Sequence, residues 1–149
     1  MKTLEIYDKD WDFKVNRDWS DNINDKTFPV PFFSIVGLFA EDANYDLREC
    51  YVHKNRLFIK GYVKGEKNEL MLRYNSGSEK MLVVARVEFV HKRKGKMTEL
   101  YRILKRIQRK YHTGPIMIEC VLTEEMKMWC LKNKFKEDEF AKGNYIQQR

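Results

Sequence analysis

Residues 81–135 constrain this chain more than any other stretch. The apolar run MLVVARVEFV meets a basic glycine turn, HKRKGK, and a helix-patterned segment over 97–111 follows. A second short apolar run, PIMIECV, leads into a second helix that ends at Phe135. The order is strand, phosphate-type turn, helix, strand, helix. Free backbone N–H groups at a helix start, ringed by cationic side chains, are what a pyrophosphate needs. The unit therefore points to a nucleotide-like cofactor.

Periodicity sets the expectations for individual elements. Residues 81–90 read as the best strand, with Met81, Val83, Ala85, Val87 and Phe89 on one face. The other face, Leu82, Val84, Arg86, Glu88 and Val90, turns polar towards its C-terminal end. In the best helix, Met97, Leu100, Tyr101, Leu104, Ile107 and Tyr111 recur at helical spacing. Arg102, Lys105, Arg106 and Arg109 occupy its opposite face. His112-Thr113-Gly114-Pro115 carries the Gly and Pro stop signals. Residues 116–121 read as a buried strand that takes Cys120 into the core. Thr123 is a good N-cap, followed by Glu124 and Glu125 and an apolar face of Met126, Trp129 and Cys130. Residues 135–147 read as an edge strand or hairpin.

Upstream, Trp11, Phe13 and Val15 alternate as in a short strand. Phe32, Ile35, Val36, Phe39 and Ala43 share one face of a helix expected within 32–47. Strands are expected over 50–53, 57–63 and 70–74, with turns at 54–55, 65–68 and 75–78.

The chain of 149 residues is long enough for one domain with its own core. Its longest apolar stretch, 30–40, is too short to span a bilayer, so no membrane partner is expected. The first ten residues lack a basic segment followed by an apolar one, so no secretion signal is expected. Cys50, Cys120 and Cys130 are odd in number and have no metal-type spacing, which argues for free thiols in a reducing, cytoplasmic setting. His53 and His112 lack a companion ligand, so no metal site is expected.

The net charge of +7 is unevenly placed. Residues 1–50 carry 6 Lys/Arg against 11 Asp/Glu, and residues 51–149 carry 23 against 11. The basic part favours an anionic partner: a phosphorylated cofactor, nucleic acid or an anionic surface. A solvated basic face would look the same. The acidic part suits a cationic substrate such as an amine.

Lys92-Arg93-Lys94-Gly95-Lys96-Met97, between strand and helix, resembles the Arg/Gln-x-x-Gly-x-Gly/Ala turn of the GNAT acetyltransferase family. The resemblance covers 81–145. Thr123 takes the place of the family's Asn, Cys130 that of its Tyr, and Phe135 that of its closing Phe. Met97 and Lys134 stand where the family has small residues or Gly. The resemblance implies an α/β (α+β) fold, a central mixed and mostly antiparallel sheet flanked by helices. It implies one GNAT-like acyltransferase domain over 1–149. Within it, 1–47 would be a divergent acceptor part and 81–135 the cofactor-binding core.

The implied activity is acetyl-coenzyme A-dependent N-acetyl transfer to an amine by direct attack, in a monomer or homodimer. The pantetheine arm would pair with the main chain at 88–90, and an N–H near Phe89 or Val90 would polarise the thioester. The pyrophosphate would rest on the amides of 93–97, with Gly95 allowing close approach and Thr98 offering its hydroxyl. Lys92, Arg93, Lys94 or Lys96 would meet the 3′-phosphate.

Glu88 is the candidate base, or else one half of a cross-strand ion pair. Cys130 is the candidate acid for the thiolate, or else a small core residue. Glu119 is a second base candidate. His91 reads as a phosphate contact, a base or an exposed loop residue. Two other readings stay open: a GNAT-like binding module without catalysis, and a basic nucleic-acid-binding domain using Arg102, Lys105, Arg106 and Arg109.

Overall fold

The computed structural model describes residues 32–77 and 79–148. The strand expected at 11–15 lies outside them. Along the chain run α1 (Phe33–Asp42), β1 (Leu47–His53), β2 (Arg56–Val63), β3 (Glu66–Ser76) and β4 (Lys80–Glu88). Then follow α2 (Lys96–Tyr111), β5 (Met117–Ile118), α3 (Glu124–Lys132), β6 (Phe135–Glu137) and β7 (Tyr145–Gln147). The fold is α+β. Among the described residues, seven strands form one sheet in the order β1-β2-β3-β4-β5-β7-β6. Of these strands only β4 and β5 pair in parallel, and α2 is their crossover.

The β1 to β4 meander is built by turn chemistry. Lys54 has a φ of +55°, and Lys64 and Gly65 have φ of +49° and +84°. Left-handed residues match a tight turn to the twist of the strands it joins. The second turn is therefore Lys64-Gly65, and pairing resumes at once with Val63 opposite Glu66. The expected turn at 65–68 gives way to a strand that starts at Glu66 and runs eleven residues.

Strand β4 does not alternate simply. Leu72 of β3 faces Val84, while Met71 faces Arg86, so Ala85 is one residue too many. Such a bulge shifts the pleat by one position. Val84 and Val87 thus share a face, opposite Leu72 and Leu70. The two faces expected for 81–90 are exchanged beyond Ala85. Phe89 joins the core with Leu82 and Val84 and stacks on Phe39, ring centroids 4.8 Å apart. Arg86 and Glu88 stay on the other face.

One core lies between α1, α2 and this face of the sheet. It holds Ile35, Val36 and Phe39 of α1, Leu57, Ile59, Leu70, Leu72 and Leu82 of the strands, and Leu100, Leu104 and Ile107 of α2. Helix α1 follows the expected apolar face but stops at Asp42. Asn44 and Tyr45 have φ of +50° and +62° and turn the chain into β1. Helix α2 buries its expected residues except Tyr111, which is exposed.

The expected strand over 116–121 shortens to two residues. Cys120, with a φ of +56°, breaks the extended run and is exposed, not core. Val121 then donates its N–H to Gly143 O, and β7 inserts between β5 and β6. The expected hairpin over 135–147 is β6 and β7. No helix among the described residues is long and apolar enough to cross a membrane.

Candidate functional site

Strands β4 and β5 stay together for two residue pairs, Val83 with Met117 and Val84 with Ile118. The N–H of Glu119 closes the contact on Val84 O at 2.8 Å. Strand β4 continues to Glu88 with no partner on that side among the described residues. The bulge at Ala85 lies where the two strands part. The free stretch of β4 leads straight into the basic turn.

The turn is shaped by two left-handed residues, Arg93 at φ +62° and Gly95 at φ +74°. Such conformations orient successive N–H groups to one side and make an anion-binding concavity. Gly95 is the N-cap of α2, and it has no side chain to cap the helix, nor does another described residue supply a cap there. A Cβ on Gly95 would meet nothing within 4 Å among the described residues. Glycine is needed here for its dihedral angle. Met97 turns into the core with Leu100 and Tyr101. Trp129 Nε1 donates to Thr98 Oγ at 3.1 Å. The hydroxyl thereby keeps its own proton for another acceptor.

The cations of the turn are less free than the sequence suggests. Lys92 lies 3.9 Å from Glu88 and also donates to Phe89 O. Arg93 pairs with Glu125 at 3.2 Å, tying the turn to the start of α3. Lys96 pairs with Glu41 at 3.6 Å and is only 15% exposed. Lys94 is exposed and has no ion pair among the described residues. Exposed pairs such as Arg93 with Glu125 are weak and can exchange for a phosphate.

Asp42 drew no attention in the sequence, yet it organises this end of the sheet. It is 0% exposed. Its carboxylate accepts from Val90 N–H at 2.7 Å, His91 N–H at 3.0 Å and Asn68 Nδ2 at 2.9 Å. His91 Nδ1 lies 3.1 Å away. Burial works against the ionised carboxyl. The donors from His91 N–H, Asn68, Val90 N–H and the His91 ring outweigh it and hold Asp42 below its ordinary range. A carboxylate can only accept, so Nδ1 of His91 is the donor in that contact. The Val90 amide is therefore spoken for. A thioester oxygen could take it only by displacing a buried carboxylate.

The remaining candidates are placed as follows. The Glu88 side chain is 42% exposed and stands opposite Glu69, which sequence reasoning missed. Lys60, Lys67 and Arg86 surround Glu69 at 3.6, 3.9 and 3.8 Å. Cys130 is buried in the core, and burial pushes its thiol up to about 11. Thr123 caps α3 through the N–H of Met126 at 3.2 Å. Glu119 forms a two-point ion pair with Arg73, at 2.8 and 3.2 Å, across β4.

No three His, Cys, Asp or Glu side chains among the described residues come together to hold a metal. No family model and no curated protein matches the chain.

Proposed function

We propose that this chain is an acetyl-coenzyme A-dependent N-acetyltransferase of the GNAT type. One observation carries the reading. An uncapped helix start, behind a turn with two left-handed residues, adjoins a strand edge that has lost its neighbour. An extended pantetheine arm can add to such an edge as a strand does. A pyrophosphate suits the helix start.

The residues present fit the cofactor. The amides of residues 94–97 would hold the pyrophosphate, and Thr98 would donate to one of its oxygens. Lys94, without an ion pair, would meet the 3′-phosphate. Acetyl-coenzyme A supplies an activated acyl group. The amine nitrogen attacks the thioester carbon, a C–N bond forms and the C–S bond breaks. Glu88 takes the amine proton, with Lys92 3.9 Å from its carboxylate. Cys130 retains its proton in the core, so the departing sulfur takes its proton from water.

A second reading, a cofactor-binding module without catalysis, is favoured by the occupied Val90 amide and the buried Cys130. Calorimetric titration with acetyl-coenzyme A tests both, followed by an amine screen for released thiol. Micromolar binding with turnover supports the transferase. Binding with no turnover on any amine supports the module. No heat at millimolar cofactor excludes both.

A further inference from the structure

Roughly 25 Å of strand separates Glu88 from Lys80 at the other end of β4. At that far end, beside the last turn of α2, lies a cavity of about 1010 Å³. Its floor is a closed amide network. Gln108 Nε2 donates to Gly114 O at 2.9 Å and to Gln147 Oε1 at 2.7 Å. Gln147 Oε1 also accepts from Ile116 N–H at 3.1 Å, and its Nε2 donates to Tyr101 Oη at 2.9 Å. These groups are satisfied. Thr113, which lines the same cavity, is not: it is 4% exposed and its Oγ has no hydrogen-bond partner among the described residues. An orphan buried hydroxyl is costly unless something outside the protein meets it.

Two further features converge on this cavity. Tyr111, 37% exposed, stands on its rim. Arg102, Arg106 and Arg109 follow one another along the exposed face of α2, the last of them lining the cavity. About 6 Å and 4.5 Å of helix rise separate them. None has an ion pair or hydrogen bond among the described residues. No acid follows Glu99 in α2. Arg109 complements the C-terminal end of the helix dipole, but Arg102 and Arg106 lie too far from it for that explanation. Glu79 is the one acid lining the cavity among the described residues.

We propose that the α2 face and this cavity form a site for single-stranded nucleic acid. Arg102 and Arg106 meet successive phosphates, a base stacks on Tyr111, and Thr113 Oγ bonds the sugar or the base edge. A cationic track with an aromatic platform is the arrangement such strands use. The site is at the opposite end of β4 from the basic turn and does not depend on the acetyltransferase reading.

Fluorescence anisotropy of the full chain with labelled twelve-nucleotide RNA and DNA tests the proposal across a salt series. Binding should weaken steeply with salt, and Arg102→Gln with Arg106→Gln should lower the slope by about 1.4, near 0.7 per phosphate. Tyr111→Ala should weaken binding about tenfold. Thr113→Val should weaken it several-fold with the slope unchanged, circular dichroism confirming the fold. Lys132→Gln with Lys136→Gln removes the same charge elsewhere and should change little. RNA bound more tightly than DNA would assign the Thr113 bond to the 2′-hydroxyl, and equal binding to the base edge. The proposal is overturned by absence of binding at low salt, by an equal effect of the control variant, or by displacement with a polyglutamate peptide as effective as RNA.

Discussion

Asp42, the last residue of α1, accepts the main-chain N–H of Val90 at 2.7 Å across 48 residues of sequence. The same carboxylate takes the N–H of His91. The basic turn that leads into α2 thus hangs from a buried charge on another element.

Asp42→Asn should destabilise the fold by about 3 kcal/mol, since it weakens several hydrogen bonds to a buried ionised group. The pH dependence follows from its lowered pKa. The contribution is fully present above the ordinary value near 3.8 and is lost as pH falls through the lower folded value. Urea unfolding of the parent should therefore show stability falling below about pH 4. In the variant this part of the fall should be missing, and identical acid profiles would refute the role.

Lys134 follows the C-cap of α3 with a φ of +65°. A non-glycine side chain pays about 1 kcal/mol for that conformation. Lys134→Gly should raise the melting temperature by about 2 °C, the gain being offset in part by the freer unfolded chain. An unchanged or lower melting temperature counts against the geometry.

Cys120 is exposed, whereas Cys50 and Cys130 are buried. Burial holds the Cys130 thiol at about 11, so it stays neutral and inert at pH 8. Brief alkylation of native protein should add one label, at Cys120, and denaturant should allow three. Native labelling of Cys130 would return it to consideration as a site residue.

Thr98→Val keeps the shape of the side chain but removes both the proposed phosphate donor and the acceptor for Trp129. Acetyl-coenzyme A affinity should fall about tenfold, the equivalent of one good hydrogen bond to a charged group. Trp129→Phe should leave most of the affinity intact. Unchanged affinity in Thr98→Val would remove that hydroxyl from the site.

Glu88→Gln should lower kcat/KM for amine transfer about a hundredfold with cofactor affinity unchanged, as for a lost general base. The pH–rate profile should lose its acidic limb. If Glu69→Gln produces that result and Glu88→Gln does not, the base is Glu69.

The sequence by itself determined the elements whose signals are local. Met97, Leu100, Leu104 and Ile107 recur at the helical period, so α2 was legible almost to its ends. The β1 to β3 strands were legible because turn residues and alternating apolar positions repeat within a few residues. Thr123 announced α3 for the same reason. Tertiary structure decided what depends on distant partners. The extra residue at Ala85 leaves no mark in composition, because a bulge is defined only against the register of the neighbouring strand. It moved Val87 and Phe89 to the core face. Cys120 left the core because its left-handed backbone and its bond to Asn144 end the strand early. Asp42 looked like any acid at a helix end. Its partners Asn68, Val90 and His91 lie 26 to 49 residues away, and only the fold brings them to one carboxylate. The basic turn was legible as charge, but which cations stay free was not. Glu41, Glu88 and Glu125 reach Lys96, Lys92 and Arg93 from three other elements, and Lys94 has no ion pair among the described residues.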